Sequence, residues 1–198
     1  MPHARRNPAL MRTDLEFRRP ALTDRAAFAD WIADWQGDAY EVYDWIFARA
    51  WTDFDWYVAS CERMRRNGCP PELTVPLDAQ WAFANETLVG ELYLFYEPLV
   101  GDNHIGYKVR PSYRRKGIAT ALLSHGLDQL HERGIAIARL SCRDTNLASA
   151  AVIERAGGTR VEDKRGTEGQ INRRYSIPTH RSASRNQVKA LYVDDVDP

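Results

Sequence analysis

The chain has 198 residues, 44% of them hydrophobic, enough for one domain of ordinary size with a real core. Its 27 Lys and Arg balance 27 Asp and Glu, and a formal net charge of zero argues against a general nucleic-acid binder while leaving room for a local basic patch. No apolar run approaches the length of a membrane span, and Arg5 and Arg6 are not followed by an apolar segment, so an unexported, cytoplasmic protein with no membrane partner is expected.

Residues 1–12 are polar and aperiodic and read as a disordered arm. Leu15-Glu16-Phe17-Arg18-Arg19-Pro20 alternates and stops at proline, which predicts a first, edge-lying strand. Thr23 then reads as the cap of a helix with Ala26, Ala27, Trp31, Ile32 and Trp35 at helical spacing, ended by Gly37. Further helical stretches cover about residues 41–50 and 53–66. Their aromatics, Tyr40, Tyr43, Trp45, Phe47, Trp51, Phe54, Trp56 and Tyr57, interleave with Asp34, Asp38, Glu41, Asp44, Asp53 and Asp55. Aromatics at helical spacing read first as core and the acids as a solvated face. The competing reading is an acidic, aromatic-walled mouth that draws a cationic amine.

After a loop at Pro70-Pro71, residues 80–84 and 88–96 predict a hairpin turning at Asn85-Glu86-Thr87. A strand over residues 104–109 closes at Pro111. A helix over residues 117–133 ends at Gly134, and a strand over residues 135–142 follows, so the two strands and their helix form a right-handed parallel unit. Asn146 caps a helix over residues 147–156 that ends at Gly157-Gly158. A last hairpin, residues 159–164 and 170–177, precedes a polar tail from residue 179 to 198. Cys61, Cys69 and Cys142 are odd in number and lack metal-ligand spacing, which suits a reducing compartment and predicts no metal.

The chemistry concentrates between strand and helix at Arg114-Arg115-Lys116-Gly117-Ile118-Ala119-Thr120. The first N–H groups of a helix lack intrahelical acceptors and lie at the positive end of its dipole, so they can hold a phosphate. Gly117 admits close approach of a ligand to the backbone. Cations at a helix N-terminus are unfavourable unless an anion joins them, so Arg114, Arg115 and Lys116 point to a bound anion.

Arg114 to Ala119 resembles the pyrophosphate-binding signature of the GNAT superfamily of acetyl-coenzyme A-dependent N-acetyltransferases. Asn146-Leu147-Ala148-Ser149 resembles the Asn-x-x-Ala/Ser that opens the next helix in many members. The runs from Gly106 to Ser112 and from Val152 to Gly158, with Arg174-Tyr175, are similar to a bacterial branch of predicted acetyltransferases. The resemblance covers about residues 14–178 and implies an α/β fold over residues 13–178. That fold has a mostly antiparallel central sheet with one parallel pair splayed at the cofactor site and helices on its flanks. Two departures stand out. The family's thiolate-protonating tyrosine is Ile153 here, and its Gly-Phe ending is Gly157-Gly158.

The resemblance also implies the jobs to be filled. Backbone N–H groups of residues 115–120, with Arg114 and Lys116 assisting, would hold the pyrophosphate of acetyl-CoA, and Asn146 and Ser149 open the neighbouring helix. Tyr107, Lys108 and Val109 would pair with the pantetheine arm, and the Val109 N–H would face the thioester oxygen. An ammonium cannot attack until a base takes its proton. Glu91 is the first candidate, although alternation with Leu92 and Leu94 would also suit an outward-facing strand residue. His104, which could equally be a strand end, is the second. Tyr107 could supply the missing acid, or its ring could be core. The expected partners are acetyl-CoA and an amine acceptor, with a homodimer through the last hairpin or tail left open. A non-catalytic acyl-CoA or partner-binding module is the alternative. A phosphotransferase is disfavoured because Lys116 precedes Gly117 and the Gly-x-x-x-x-Gly-Lys-Ser/Thr spacing is missing.

Overall fold

The structure is a computed structural model that describes residues 15–35, 52–67, 76–97, 103–166 and 169–180. The expected N-terminal arm, the helix over 41–50, Cys69 and nearly all of the tail lie outside the described residues. Strands β1 (Leu15–Arg18), β2 (Leu77–Ala84), β3 (Thr87–Phe95) and β4 (Ile105–Val109) form one sheet in that order. Strands β5 (Ile137–Arg143), β6 (Thr159–Arg165) and β7 (Ile171–Pro178) form a second, ordered β5-β7-β6. Every ladder among the described strands is antiparallel. Helices are α1 (Arg25–Asp34), α2 (Phe54–Asn67), α3 (Ile118–Glu132) and α4 (Leu147–Arg155).

Both faces of the first sheet are covered, which is why β2 is buried at every position and β3 at every position after Thr87. Under α1 and α2 lie Phe28, Trp31, Tyr57, Met64, Trp81, Phe83, Tyr93 and Phe95. Phe28 stacks on Tyr57 and Trp81 at ring distances of 5.4 Å. Under α3 and α4 lie Leu92, Leu94, Ile105, Leu122, Leu123, Leu130, Leu140, Ile153 and Tyr175. Full burial of such side chains contributes about 1.5–3 kcal/mol each.

The boundaries shift in informative places. Thr23 does not cap α1: it lies inside a 3-10 turn, Leu22–Asp24, and Asp24 instead accepts the Ala21 N–H at 2.9 Å. Arg18 grips the same carboxylate with two bonds of 2.6 Å, so Asp24 joins β1 to the start of α1. The acids of the proposed mouth that can be placed are engaged within the fold. Asp53 accepts the Trp56 N–H at the start of α2, Asp55 pairs with Arg25, and Asp34 binds Ser112. Phe54 and Tyr57 are core, as the first reading of the aromatics expects. Asp38, Glu41 and Asp44 lie outside the described residues.

The expected parallel partners, β4 and β5, touch at one end only. The His104 N–H donates to the Arg139 carbonyl at 2.8 Å, and the Arg139 N–H donates to His104 Nδ1 at 3.0 Å. Beyond that point the strands separate into different sheets. The splay that the resemblance implies for this pair leaves two sheets, with no parallel ladder among the described strands.

Candidate active site

A cavity of about 190 Å³ fills the gap between β4 and β5, lined by Tyr93, Ile105, Gly106, Tyr107, Lys108, Leu140, Ser141, Cys142, Asn146, Ser149 and Ile153. It reaches both faces of the first sheet, because Tyr93 packs with the α1–α2 side while Ile105 and Tyr107 pack with the α3–α4 side. The slot thus joins two chemical environments through one opening.

The backbone of β4 is oriented for this opening. The Arg110 N–H donates to Val89, and Lys108 lies opposite Glu91 in the same ladder. Alternation along an antiparallel strand then turns the peptide groups of Ile105, Tyr107 and Val109 away from β3, those of Ile105 and Tyr107 at the slot itself. Tyr107 also sends its ring to the α4 side, where its hydroxyl and Ser149 Oγ are 2.9 Å apart. Burial pushes the Tyr107 phenol up to about 12, against a smaller lowering from Ser149, so it stays protonated at neutral pH. Asn146 caps α4 by accepting the Ser149 N–H at 3.0 Å, and this fixes Ser149 where Tyr107 meets it.

Ile153 is 1% exposed and lines the slot one helical turn beyond Ser149. Gly158 belongs to the same place. A Cβ there would lie 2.5 Å from Ile153 Cγ2 and 2.8 Å from its carbonyl oxygen. The two departures from the family pattern are therefore one packing arrangement. Cys142, also lining the slot, has its thiol raised chiefly by burial, which makes it a poor nucleophile at neutral pH.

β4 leads through a 3-10 turn, Pro111–Tyr113, to the basic turn ahead of α3. Arg115 has φ 63° and Gly117 φ 82°, and α3 starts without a side-chain cap or an acidic residue in its first turn. Left-handed residues at alternate positions turn successive N–H groups into a concavity suited to an anion. The cations are held at its rim. Arg114 lies 5.3 Å over the Trp35 ring, and Lys116 donates to the Ser112 carbonyl at 2.9 Å while lying 4.3 Å over Tyr113. Ile118 is buried beneath the turn, whereas Ala119 and Thr120 are half-buried on the first turn of the helix. Asp34 braces the approach: it accepts the Ser112 N–H at 2.9 Å and pairs with Arg110 Nε at 3.4 Å. Burial raises the Asp34 carboxyl, but the Ser112 bonds and Arg110 outweigh it and hold the group below its usual range.

Glu91 is on the other side of the sheet and fully buried, not outward-facing. Trp81 Nε1 donates to Oε1 at 3.2 Å, Tyr93 donates its hydroxyl to Oε2 at 2.9 Å, and Lys108 Nζ is 3.9 Å from Oε2. Lys108 therefore turns its ammonium toward Glu91 and spends its backbone on the β3 ladder, away from the basic turn. His104 is buried at the hinge of the slot, with Nδ1 occupied by the Arg139 N–H. Of the residues singled out in the sequence, Tyr107, Lys108, Asn146 and Ser149 meet at the slot, Val109 does not line it, and residues 114–120 form the basic turn and uncapped start of α3. Tyr93 and Trp81 carry no local motif, and register across the sheet is what reveals them, whereas Asp34 ends α1 and reaches Ser112 and Arg110 only through packing.

A slot that presents strand backbone and adjoins an uncapped helix N-terminus fits a class of proteins that hold an extended, anionic ligand along one strand. The sequence profile of the Acetyltransferase (GNAT) family matches residues 30–158, and the chain belongs to that family. Over 49 residues it is 43% identical to the [ribosomal protein bS18]-alanine N-acetyltransferase of Escherichia coli strain K12, a match covering 25% of this chain. The chain spans about a third, 33%, of the length of the curated relatives it matches. Among solved structures, RimL, a ribosomal L7/L12 α-N-protein acetyltransferase in complex with coenzyme A, superposes with a TM-score of 0.67 at 20% identity, covering 84% of this chain and 94% of that one. Mycobacterium smegmatis RimJ in complex with CoA-disulfide gives 0.66 at 21% identity, covering 83% and 81%. At such identities these likenesses speak for the fold.

Proposed function

We propose that this protein transfers the acetyl group of acetyl-CoA to a primary amine, directly in a ternary complex, and that the acceptor is the N-terminal α-amine of a protein chain. The observation that carries the reading is the slot between β4 and β5, with strand peptide groups turned into it and an uncapped, cation-rimmed helix N-terminus beside it. The choice of acceptor rests on the relatives, one named a ribosomal-protein-alanine N-acetyltransferase and another a ribosomal α-N-protein acetyltransferase. Each acid of the expected mouth that can be placed already has a partner within the chain, Asp55 in an exposed pair with Arg25, so they lend little weight to a cationic small molecule. We place the reaction in the cytoplasm, without metal or nucleic acid.

Bound acetyl-CoA supplies an activated acetyl group, and the residues divide the remaining work. Backbone N–H groups of residues 115–120 hold the pyrophosphate, with Arg114 and Lys116 adding charge. Tyr107 and Val109 pair their peptide groups with the pantetheine arm, and the Val109 N–H donates to the thioester oxygen as negative charge gathers there. Asn146 and Ser149 hold the Tyr107 phenol, which donates a hydrogen bond to the departing sulfur. Glu91 takes the amine proton. His104 keeps β4 and β5 joined at the closed end of the slot, a positioning role.

Thiol release from acetyl-CoA, measured with peptides beginning with alanine or serine and with a polyamine for comparison, tests this reading. Turnover with the peptides supports it. Tight acetyl-CoA binding without thiol release from any amine would favour the second reading, a non-catalytic acyl-CoA-binding module, which the isoleucine at position 153 supports.

A further inference from the structure

Glu91 cannot meet an acceptor itself, because it is 0% exposed beneath α1 and α2. If it is the base, the proton must reach it through another group. Two residues both line the slot and touch Glu91 Oε2: Tyr93 at 2.9 Å and Lys108 at 3.9 Å. Their geometries differ. The Tyr93 hydroxyl makes a hydrogen bond of ordinary length, while the lysine contact exceeds hydrogen-bond distance. Tyr93 is 5% exposed and lies opposite Gly106, which has no side chain to rest on the ring, since a Cβ there would be in van der Waals contact at 3.8 Å with Tyr93 Cβ and Cδ2.

We propose that Tyr93 is the catalytic residue that carries the acceptor's proton from the slot to Glu91. This deepens the acetyl-transfer reading and rests on it. The acceptor enters as an ammonium. As one N–H proton moves onto the Tyr93 oxygen, the phenol's own proton moves to Glu91 Oε2. The phenol is unchanged, the carboxylate becomes a carboxylic acid, and the nitrogen lone pair is free. The C–N bond then forms at the acetyl carbon, the C–S bond breaks with its electrons on sulfur, and the second N–H proton ends on that sulfur as a thiol. Glu91 returns its proton through the same phenol to water when the slot empties, which accounts for the one proton the reaction releases. Among the described residues, the charged and titratable groups around Glu91 include Lys108 from β4, Tyr93 from its own strand, and Cys61 from α2. The Cys61 thiol is pushed up to about 12, chiefly by burial and further by Glu91, and so stays out of the relay.

The test compares Tyr93→Phe, Glu91→Gln, the double variant and Lys108→Met in the full chain, with acetyl-CoA and an alanine-initiated peptide as probes. Both single variants of the relay should lose about a hundredfold in kcat at neutral pH and recover toward alkaline pH, where the amine needs no base. Acetyl-CoA affinity by calorimetry should not change. The double variant should fall within about threefold of the singles, since one pathway is cut twice. In the protein without ligands, the infrared carboxylate band assigned by Glu91→Gln should shift when the Tyr93 hydroxyl is removed. Lys108→Met removes a positive charge 3.9 Å from Glu91, so its pH profile should move toward higher pH yet keep the base-dependent limb that Glu91→Gln loses, a readout that holds even if Tyr93→Phe folds poorly. A Tyr93→Phe enzyme within about twofold of wild type, multiplying losses in the double variant, or a Lys108→Met enzyme with the Glu91→Gln profile would overturn the relay alone. A wild-type protein that binds acetyl-CoA but releases no thiol with any peptide would overturn the transfer reading, and the relay with it.

Discussion

The basic turn ahead of α3 follows β4 and the buried cluster around Glu91 is centred on its neighbour β3, yet they are built in opposite ways. The turn is exposed and made of backbone: two left-handed residues, an uncapped helix start and cations resting on Trp35 and Tyr113. The cluster is sealed and made of side chains, with an indole, a phenol and an ammonium converging on one carboxylate from three strands. A site for a large anionic group can be open to water because many N–H donors share the charge. A proton acceptor works better where its partners are fixed and water is excluded. The two regions should therefore fail differently, the turn in binding and the cluster in turnover.

The largest effect is expected from the cluster. Glu91→Gln keeps the shape but turns one of two accepting oxygens into an NH2 donor and removes the proposed base, and kcat should fall about a hundredfold with acetyl-CoA affinity unchanged. Steady-state kinetics alongside calorimetry separate the two quantities, and a change confined to affinity would erase the contrast. Next comes the turn. Gly117→Val forces a β-branched side chain into a left-handed conformation costing about 1–2 kcal/mol, so acetyl-CoA should bind about tenfold more weakly or worse while kcat at saturation holds.

How much of this could be read from the sequence follows the same division. The turn is a local motif, and Asn146 is a cap in both readings, so adjacent residues sufficed. The hairpin of β2 and β3 and the edge position of β1 were equally legible from alternation and turn residues. Glu91 was legible as a candidate but not in its setting. Alternation assumes one buried face, whereas helices cover both faces here, and Trp81, Tyr93 and Lys108 reach Glu91 only through cross-strand register. The contact of His104 with Arg139 and the width of the slot depend on two strands parting, which no periodicity records.

A smaller effect sharpens the binding side. Asp34→Ala frees the Ser112 N–H and Arg110, and should weaken acetyl-CoA binding about three- to tenfold without touching kcat. Because the folded-state pKa of Asp34 is depressed, its contribution to stability is complete above the usual carboxylate range and is lost as pH falls through the lowered value. Chemical denaturation in acid, with and without the substitution, checks that sign.

The smallest effect lies outside both regions and serves as their control. His125 stacks on Phe17 at 4.1 Å and bonds to Gln80, and burial lowers its pKa despite Asp128, Glu132 and Asp78 nearby. The unfolded imidazole therefore takes a proton first as pH falls below about 6.5, and stability should decline from there toward the lower folded pKa. Melting temperatures of His125→Gln should lose part of that slope, with acetyl-CoA binding and turnover unaffected.

The central claim, that the gap between β4 and β5 is where donor and acceptor meet, is tested most directly by a crystal structure with acetyl-CoA bound. The predicted result has the pyrophosphate on the N–H groups of residues 115–120, the pantetheine arm along Tyr107 and Val109, and the thioester in the slot between Tyr107 and Tyr93. An acetyl-CoA bound elsewhere, or a β4 and β5 closed into a continuous ladder around it, would contradict the account.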